Sequence, residues 1–182
     1  TLNGFALSET GSVLKTTNGG NNWTSLVNTF VTGRSFSFAG TMVYQVGEGG
    51  SIFKSANSGL NWISLTTNVF STVSSVTGSS FIDANTGFAV TYNGKIAKTT
   101  NGGDSWTSLS QVNTNSIQKM QFINSGTGII ASGAGNIYRT TDGGQAWFTY
   151  NTGTSNELYG LHFVTVNDAY VSGWQGAVSK TT

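Results

Sequence analysis

The sequence predicts an all-β fold, a β-propeller of four-stranded antiparallel blades, and three observations predict it. Four near-copies of one string recur: KTTNGGNNW (15–23), KSANSGLNW (54–62), KTTNGGDSW (98–106) and RTTDGGQAW (139–147). Their tryptophans, Trp23, Trp62, Trp106 and Trp147, lie 39, 44 and 41 residues apart. A glycine precedes each string, at Gly11, Gly50, Gly94 and Gly135, and opens a G-x-[VI]-x-[KR] strand that recurs at Gly176. The composition agrees: Gly is 25, Pro and Cys are 0, and Thr, Ser and Asn dominate the rest. Such a composition suits strands and tight turns rather than helices.

Residues 116–150 spell out one period. SIQKMQFI is the first strand, TGIIASG the second, NIYRTT the third and AWFTY the fourth. Each is short and bounded by Gly, Asn, Ser or Asp, as half-buried antiparallel strands are. No window shows helical apolar spacing. A period near 41 residues with four strands matches a propeller blade, whereas solenoid coils run nearer ~20–30 residues. The blade units fall at about 1–27, 28–68, 69–110, 111–151 and 152–182. The first unit supplies a second, third and fourth strand, and the last supplies a first, second and third. The expectation is therefore three whole blades and two partial ones, forming an arc of a larger ring. The missing blades would be removed or supplied by another chain. The alternative is five blades closing with two short ones. An arc leaves strand edges open, a feature natural chains usually avoid.

Charge and length narrow the function. Of 182 residues only 8% are charged, with a net charge of +1. Nucleic-acid binding needs a basic face to displace phosphate counterions, and this chain has none. No stretch approaches the ~20 apolar residues of a membrane helix. The absence of cysteine excludes disulfides and thiolate metal sites. Aromatics at 12% are enough to fill a core. The chain opens at Thr1 without a signal peptide, so it reads as an excised piece whose targeting information has been lost.

The string [ST]-x-[ND]-x-G-x-x-W resembles the Asp-box, or BNR repeat. Its box residues here are Asn18, Gly20 and Trp23; Asn57, Gly59 and Trp62; Asn101, Gly103 and Trp106; and Asp142, Gly144 and Trp147, with Thr16, Ser55, Thr99 and Thr140 leading. The resemblance implies that each box folds the turn between a blade's third and fourth strands. The TTNGGxxW form is similar to the photosystem II stability and assembly factor-like propellers, which are widespread in secreted bacterial proteins. Three of the four boxes carry Asn instead of Asp, which keeps the turn chemistry and loses the charge. The boxes are read as scaffold. Asn or Asp accepts N–H bonds within its turn, glycines supply positive φ, and tryptophan covers the blade edge.

The BNR name suggests sialidase, whose members share an arginine cluster with a Tyr nucleophile and a Glu partner. Only Arg34 and Arg139 are present, and Arg139 occupies the repeated [KR] position, so the cluster cannot be built. Glycosidases need two carboxylates about 5–10 Å apart. Asp104 and Asp142 fall in box turns, and Asp83 and Asp168 in the turn after a first strand, leaving Glu9, Glu48 and Glu157. His162 sits on an inner strand with no Ser or Asp partner evident. No His or Cys pair suits a transition metal, and no D-x-D-x-D-G loop suits calcium, so neither metal nor cofactor is expected. Lys15, Lys54, Lys98, Arg139 and Lys180 share one repeat position. They form either an anion-binding ring or, as preferred, solvated positions that discourage edge pairing.

Two residues before each landmark glycine, the tip between second and third strands varies: Glu9, Glu48, Tyr92, Gly133 and Trp174. Variable tips on a repeating scaffold commonly bind. Glu9, Glu48, Tyr92 and Trp174 are the candidate binding residues for a protein or carbohydrate, and they should share the face opposite the boxes. The reading is a non-catalytic binding or structural module, extracellular or on a bacterial surface. The alternatives are an assembly factor for a membrane protein complex, or a non-catalytic part of a carbohydrate-active enzyme.

Overall fold

The structure, a computed structural model, describes residues 2–8, 11–28, 32–70, 74–112 and 116–180. Among the described residues eighteen strands form five separate antiparallel sheets. The first sheet holds β1 (Gly4–Leu7), β2 (Ser12–Thr16) and β3 (Thr24–Asn28). The second holds β4 (Gly33–Ala39), β5 (Met42–Gly47), β6 (Ile52–Ser55) and β7 (Ile63–Leu65). The third holds β8 (Val76–Phe81), β9 (Gly87–Thr91), β10 (Ile96–Thr99) and β11 (Thr107–Ser108). The fourth holds β12 (Lys119–Phe122), β13 (Gly128–Ala131), β14 (Asn136–Thr140) and β15 (Phe148–Asn151). The fifth holds β16 (Leu158–Phe163), β17 (Ala169–Gly173) and β18 (Val178–Lys180). Among the described residues no helix is long and apolar enough to cross a membrane.

Sequential strands pair within each sheet, so each sheet is a propeller blade built as a meander. The three whole and two three-stranded blades match expectation, but the arc of a larger ring does not. The structure shows five blades, and the reason is curvature. Inner strands β4, β8, β12 and β16 already converge on one axial cavity of about 350 Å³, lined by Ser37, Ser79, Gln121 and His162. Short bonds tie these strands in order. Ser37 and Ser79 share a hydroxyl bond of 2.9 Å, Phe122 N–H donates to Ser80 Oγ at 2.9 Å, and Phe163 N–H donates to Gln121 Oε1 at 3.0 Å.

The blades are joined by an aromatic ladder. Tyr44 on β5 stacks on Phe81 on β8 of the next blade, with centroids 3.4 Å apart and planes 4° from parallel. Trp106 from that blade's box meets Phe81 edge-on at 6.0 Å. The next junction repeats the arrangement: Phe88 on Phe122 at 3.5 Å, with Trp147 edge-on at 6.0 Å. At the first junction Phe5 packs on Phe38 at 5.3 Å and Trp62 covers Phe36. The edge-on pairs Trp106–Phe81 and Trp147–Phe122 add roughly 0.5–1.5 kcal/mol each beyond their burial. Burial pushes the Tyr44 phenol up to about 12, and its hydroxyl donates to Ala84 O and Gly102 O across the junction.

This ladder corrects the reading of the repeated cations. Lys15, Lys54 and Lys98 lie 5.5, 5.9 and 5.3 Å from the ring centroids of Phe5, Tyr44 and Phe88. Their heads then cross to the following blade. Lys15 Nζ donates to Ser58 O, Lys54 pairs with Asp104 at 3.9 Å, and Arg139 Nη2 donates to Val166 O. Lys15, Lys54 and Arg139 are inter-blade clasps, neither an anion ring nor idle solvated positions, whereas Lys180 pairs with Asp168 of its own blade.

Each box turn is held by two acceptors. Thr99 Oγ1 accepts from Gly103 N–H at 2.9 Å and Asn101 N–H at 3.3 Å, while Asn101 Oδ1 accepts from Ser105 N–H at 2.9 Å. Thr16 with Asn18, Ser55 with Asn57 and Thr140 with Asp142 repeat the pattern. Gly103 has φ +92°, and a Cβ there would strike Leu65 Cδ1 at 2.6 Å, so turn shape and inter-blade fit both demand glycine. The indole N–H of Trp106 donates to Gly103 O at 3.0 Å. Trp106 is 5% exposed but Trp23 is 45% exposed. The first blade has no inner strand among the described residues, so no phenylalanine of its own lies beneath Trp23.

Two outcomes follow for stability. Trp106→Ala should cost ~3–5 kcal/mol, as buried aromatic truncations do, and Trp23→Ala far less. Urea unfolding midpoints measure both, and equal losses would refute the ladder account. The Ala146 N–H first, and then the Thr140 hydroxyl, hold the Asp142 carboxyl below its ordinary value of 3.8. A lowered folded value gives stability that is full above the unfolded value and lost as pH falls through the folded one. Thermal melts from about pH 5 down to pH 2 should therefore show a shallower acid loss for Asp142→Asn than for the parent.

Candidate partner-binding face

The second strand of a blade ends where its first strand begins. Glu48 N–H donates to Thr32 O, Tyr92 to Ser75 O, Gly133 to Ser116 O and Trp174 to Glu157 O, all at 3.0–3.1 Å. These bonds set the four tips at one end of the blades, beside the entries of the inner strands. The box turns follow the third strands and so lie at the other end, because antiparallel turns alternate.

Three inner strands carry an extra residue at this end. The register slips between Gly33 and Ser35, between Val76 and Gly78, and between Leu158 and Gly160. The bulged residues are Arg34, Thr77 and Tyr159. A bulge removes a residue from the ladder and re-aims its side chain. All three line one axial mouth of about 500 Å³, joined by Ser75, Tyr92, Gln118 and Lys119.

The mouth is polar and cationic. Arg34 Nη2 donates to Glu48 Oε1 at 2.8 Å, both side chains being about half exposed. Lys119 makes no ion pair among the described residues, and burial pulls its ammonium below the usual lysine value. Tyr92 OH shares a 2.9 Å bond with Ser116 Oγ. Tyr159 OH donates to Glu157 Oε2 at 2.5 Å, and that bond raises the phenol's pKa. No carboxylate lines the mouth itself, so the arrangement suits hydrogen bonding to, and charge pairing with, an anionic or carbonyl-rich ligand.

The sequence-predicted residues divide. Tyr92, 43% exposed, lines the mouth. Glu48 reaches it only through Arg34, and its charge is already paired. Trp174 is 64% exposed on the same end but does not line the mouth; its carbonyl accepts from Asn156 Nδ2 at 3.1 Å. Glu9 lies outside the described residues. His162 is exposed in the axial cavity, whose lining carries no carboxylate. Among the described residues no three His, Asp or Glu side chains gather as metal ligands. Sequence reasoning missed Arg34, Thr77, Lys119 and Tyr159. The available signal was Gly78 and Gly160, glycines inside strand patterns, which often mark bulges.

Comparison with known proteins adds a family. Residues 1–181 match the family described as photosynthesis system II assembly factor YCF48. No curated protein sequence matches the chain. Among solved structures, one described as YCF48 bound to D1 peptide aligns with 99% of this chain and 60% of its own at 18% identity, with a TM-score of 0.68. This chain thus spans less than two thirds of that protein. YCF48 from Cyanidioschyzon merolae aligns with 99% of this chain and 79% of its own at 15% identity and TM-score 0.58. A GH74 enzyme from Niastella koreensis aligns with 99% of this chain and 34% of its own at 19% identity and TM-score 0.80. These likenesses establish the propeller fold. The family match overturns the expected extracellular or bacterial cell-surface placement, because the family is one of photosystem assembly rather than of exported surface modules. By its match from end to end, the chain belongs to the family of the photosynthesis system II assembly factor YCF48.

Proposed function

We propose that this chain is a non-catalytic assembly propeller that holds an extended peptide of a protein partner at the axial mouth. The observation that carries the reading is the convergence of Arg34, Thr77 and Tyr159, from three blades, with Lys119 in one cavity. Bulges cost ladder bonds, and three of them at one end of the inner strands favour a functional reason over a packing one. The family and the peptide bound to one similar structure support a protein partner. Two lysine or arginine heads, one paired and one unpaired, favour an acidic or C-terminal carboxylate segment. A carbohydrate-active role has only the fold likeness to a GH74 enzyme behind it, and the mouth holds no paired acids.

Fluorescently labelled ten-residue peptides of acidic, neutral and basic composition provide the test, read by anisotropy. The acidic set should bind best and weaken as salt rises. Lys119→Met should weaken it roughly tenfold, the loss of about one charged hydrogen bond. Equal binding of all three sets, or loss on mutating the box turns instead, would reject the mouth.

A further inference from the structure

We propose that the floor of the axial mouth, where the third and fourth blades meet, is a seat for one carboxylate, held by the Lys119 ammonium and the Thr77 hydroxyl. The inference rests on the peptide-holding reading of the mouth and names the group that the peptide must bring there.

The seat lies in the interior of the repeat. Thr77 is on β8 and Lys119 on β12, and each of these inner strands packs against an inner strand on both sides. The two strands approach closely at this height. A Cβ added at Gly78 would stand 3.0 Å from Met120 N and 3.3 Å from Met120 Cβ. The residues just before these, Thr77 and Lys119, therefore enter the mouth side by side, and both line it. Lys119 also lines the axial cavity, so it stands at the boundary between the two spaces.

Both groups lack a partner. Thr77 is 7% exposed, and its Oγ1 is buried with no hydrogen-bond partner among the described residues. Neighbouring inner-strand hydroxyls are bonded: Ser37 to Ser79, and Ser80 to Phe122 N–H and O. An unpartnered buried hydroxyl destabilises a fold, and a valine of the same shape would not. The Thr77 hydroxyl thus serves no bond that folding makes. With none to lose, it turns to a ligand by one rotamer change. Lys119 is half-buried without an ion pair among the described residues, and burial disfavours its charged form. Arg34, the other cation of the mouth, is already paired with Glu48.

One group satisfies both vacancies if it carries a single negative charge and two acceptor oxygens. A carboxylate does so. A neutral amide leaves the ammonium uncompensated, and a phosphate dianion brings a second charge that only the occupied Arg34 could meet. An Asp or Glu side chain and a chain end supply the same chemistry.

Three labelled ten-residue peptides of otherwise neutral sequence separate these sources by anisotropy. One has an internal Asp and an amidated end, one has a free C-terminal carboxylate and no acidic side chain, and one has Asn and an amidated end. At least one carboxylate peptide should bind, and the Asn peptide far more weakly. Thr77→Val should weaken that carboxylate peptide about tenfold, and Thr77→Ser, which keeps the hydroxyl, should bind within about twofold of the parent. In Lys119→Met the further change Thr77→Val should weaken binding less than it does in the parent, because both groups act on one carboxylate. Without ligand, Thr77→Val should melt about 2–4 °C higher than the parent, the opposite of its effect on binding. A carboxylate peptide that needs Lys119 but binds Thr77→Val as tightly as the parent would overturn the seat and leave the mouth standing. So would a lower melting temperature for Thr77→Val, which would make the hydroxyl structural. Failure of every peptide to bind the parent would overturn both the mouth and the seat. The peptide comparison and Thr77→Ser keep the test decisive if Thr77→Val fails to fold.

Discussion

The stacking of a second-strand ring on the next blade's inner phenylalanine is the interaction on which the rest depends. A single blade has two apolar faces and cannot bury either alone. Tyr44 on Phe81 and Phe88 on Phe122 turn separate meanders into one body. The box tryptophans then cap the same phenylalanines, so the turn that shapes a blade also seals it to its neighbour. The lysines above the rings add a third layer, and the heads of Lys15 and Lys54 bond the following box. Scaffold geometry and inter-blade adhesion therefore share the same few residues, as the nearest-neighbour energetics of repeat proteins require.

The junctions are not equal. Ile129 stands where Phe5, Tyr44 and Phe88 supply rings, so the fourth junction lacks the stack and the lysine above it. Arg139 compensates by reaching Val166 O. In the fifth blade the ring position is held by Tyr170, and Lys180 pairs with Asp168 of its own blade at 2.7 Å. In a quasi-one-dimensional stack, local opening concentrates where neighbour terms are smallest.

The repeat made the blades legible because its period and its turn residues are local signals. Thr99, Asn101 and Gly103 act within five residues, so sequence alone revealed their role. The clasps were misread because a repeat position shows which blade a lysine starts from and not which blade its head reaches. The mouth was missed for a related reason. Arg34, Thr77 and Tyr159 are bulge residues, and a bulge breaks the alternation by which strand faces are read. The curvature that produces five blades instead of an arc lies in how tightly β4, β8, β12 and β16 converge. No single blade's sequence carries that angle.

The bulges have an evolutionary corollary. A residue squeezed out of a ladder contributes little to pairing, so its identity is released from the demands that strand pairing places on its neighbours. Arg34, Thr77 and Tyr159 differ completely in chemistry, yet the strands around them keep one register pattern. Selection can therefore rewrite the opening at the axis one blade at a time, changing sign, size or aromaticity, without renegotiating the architecture. Divergence among related chains is expected to accumulate at these three points faster than at any ring of the ladder.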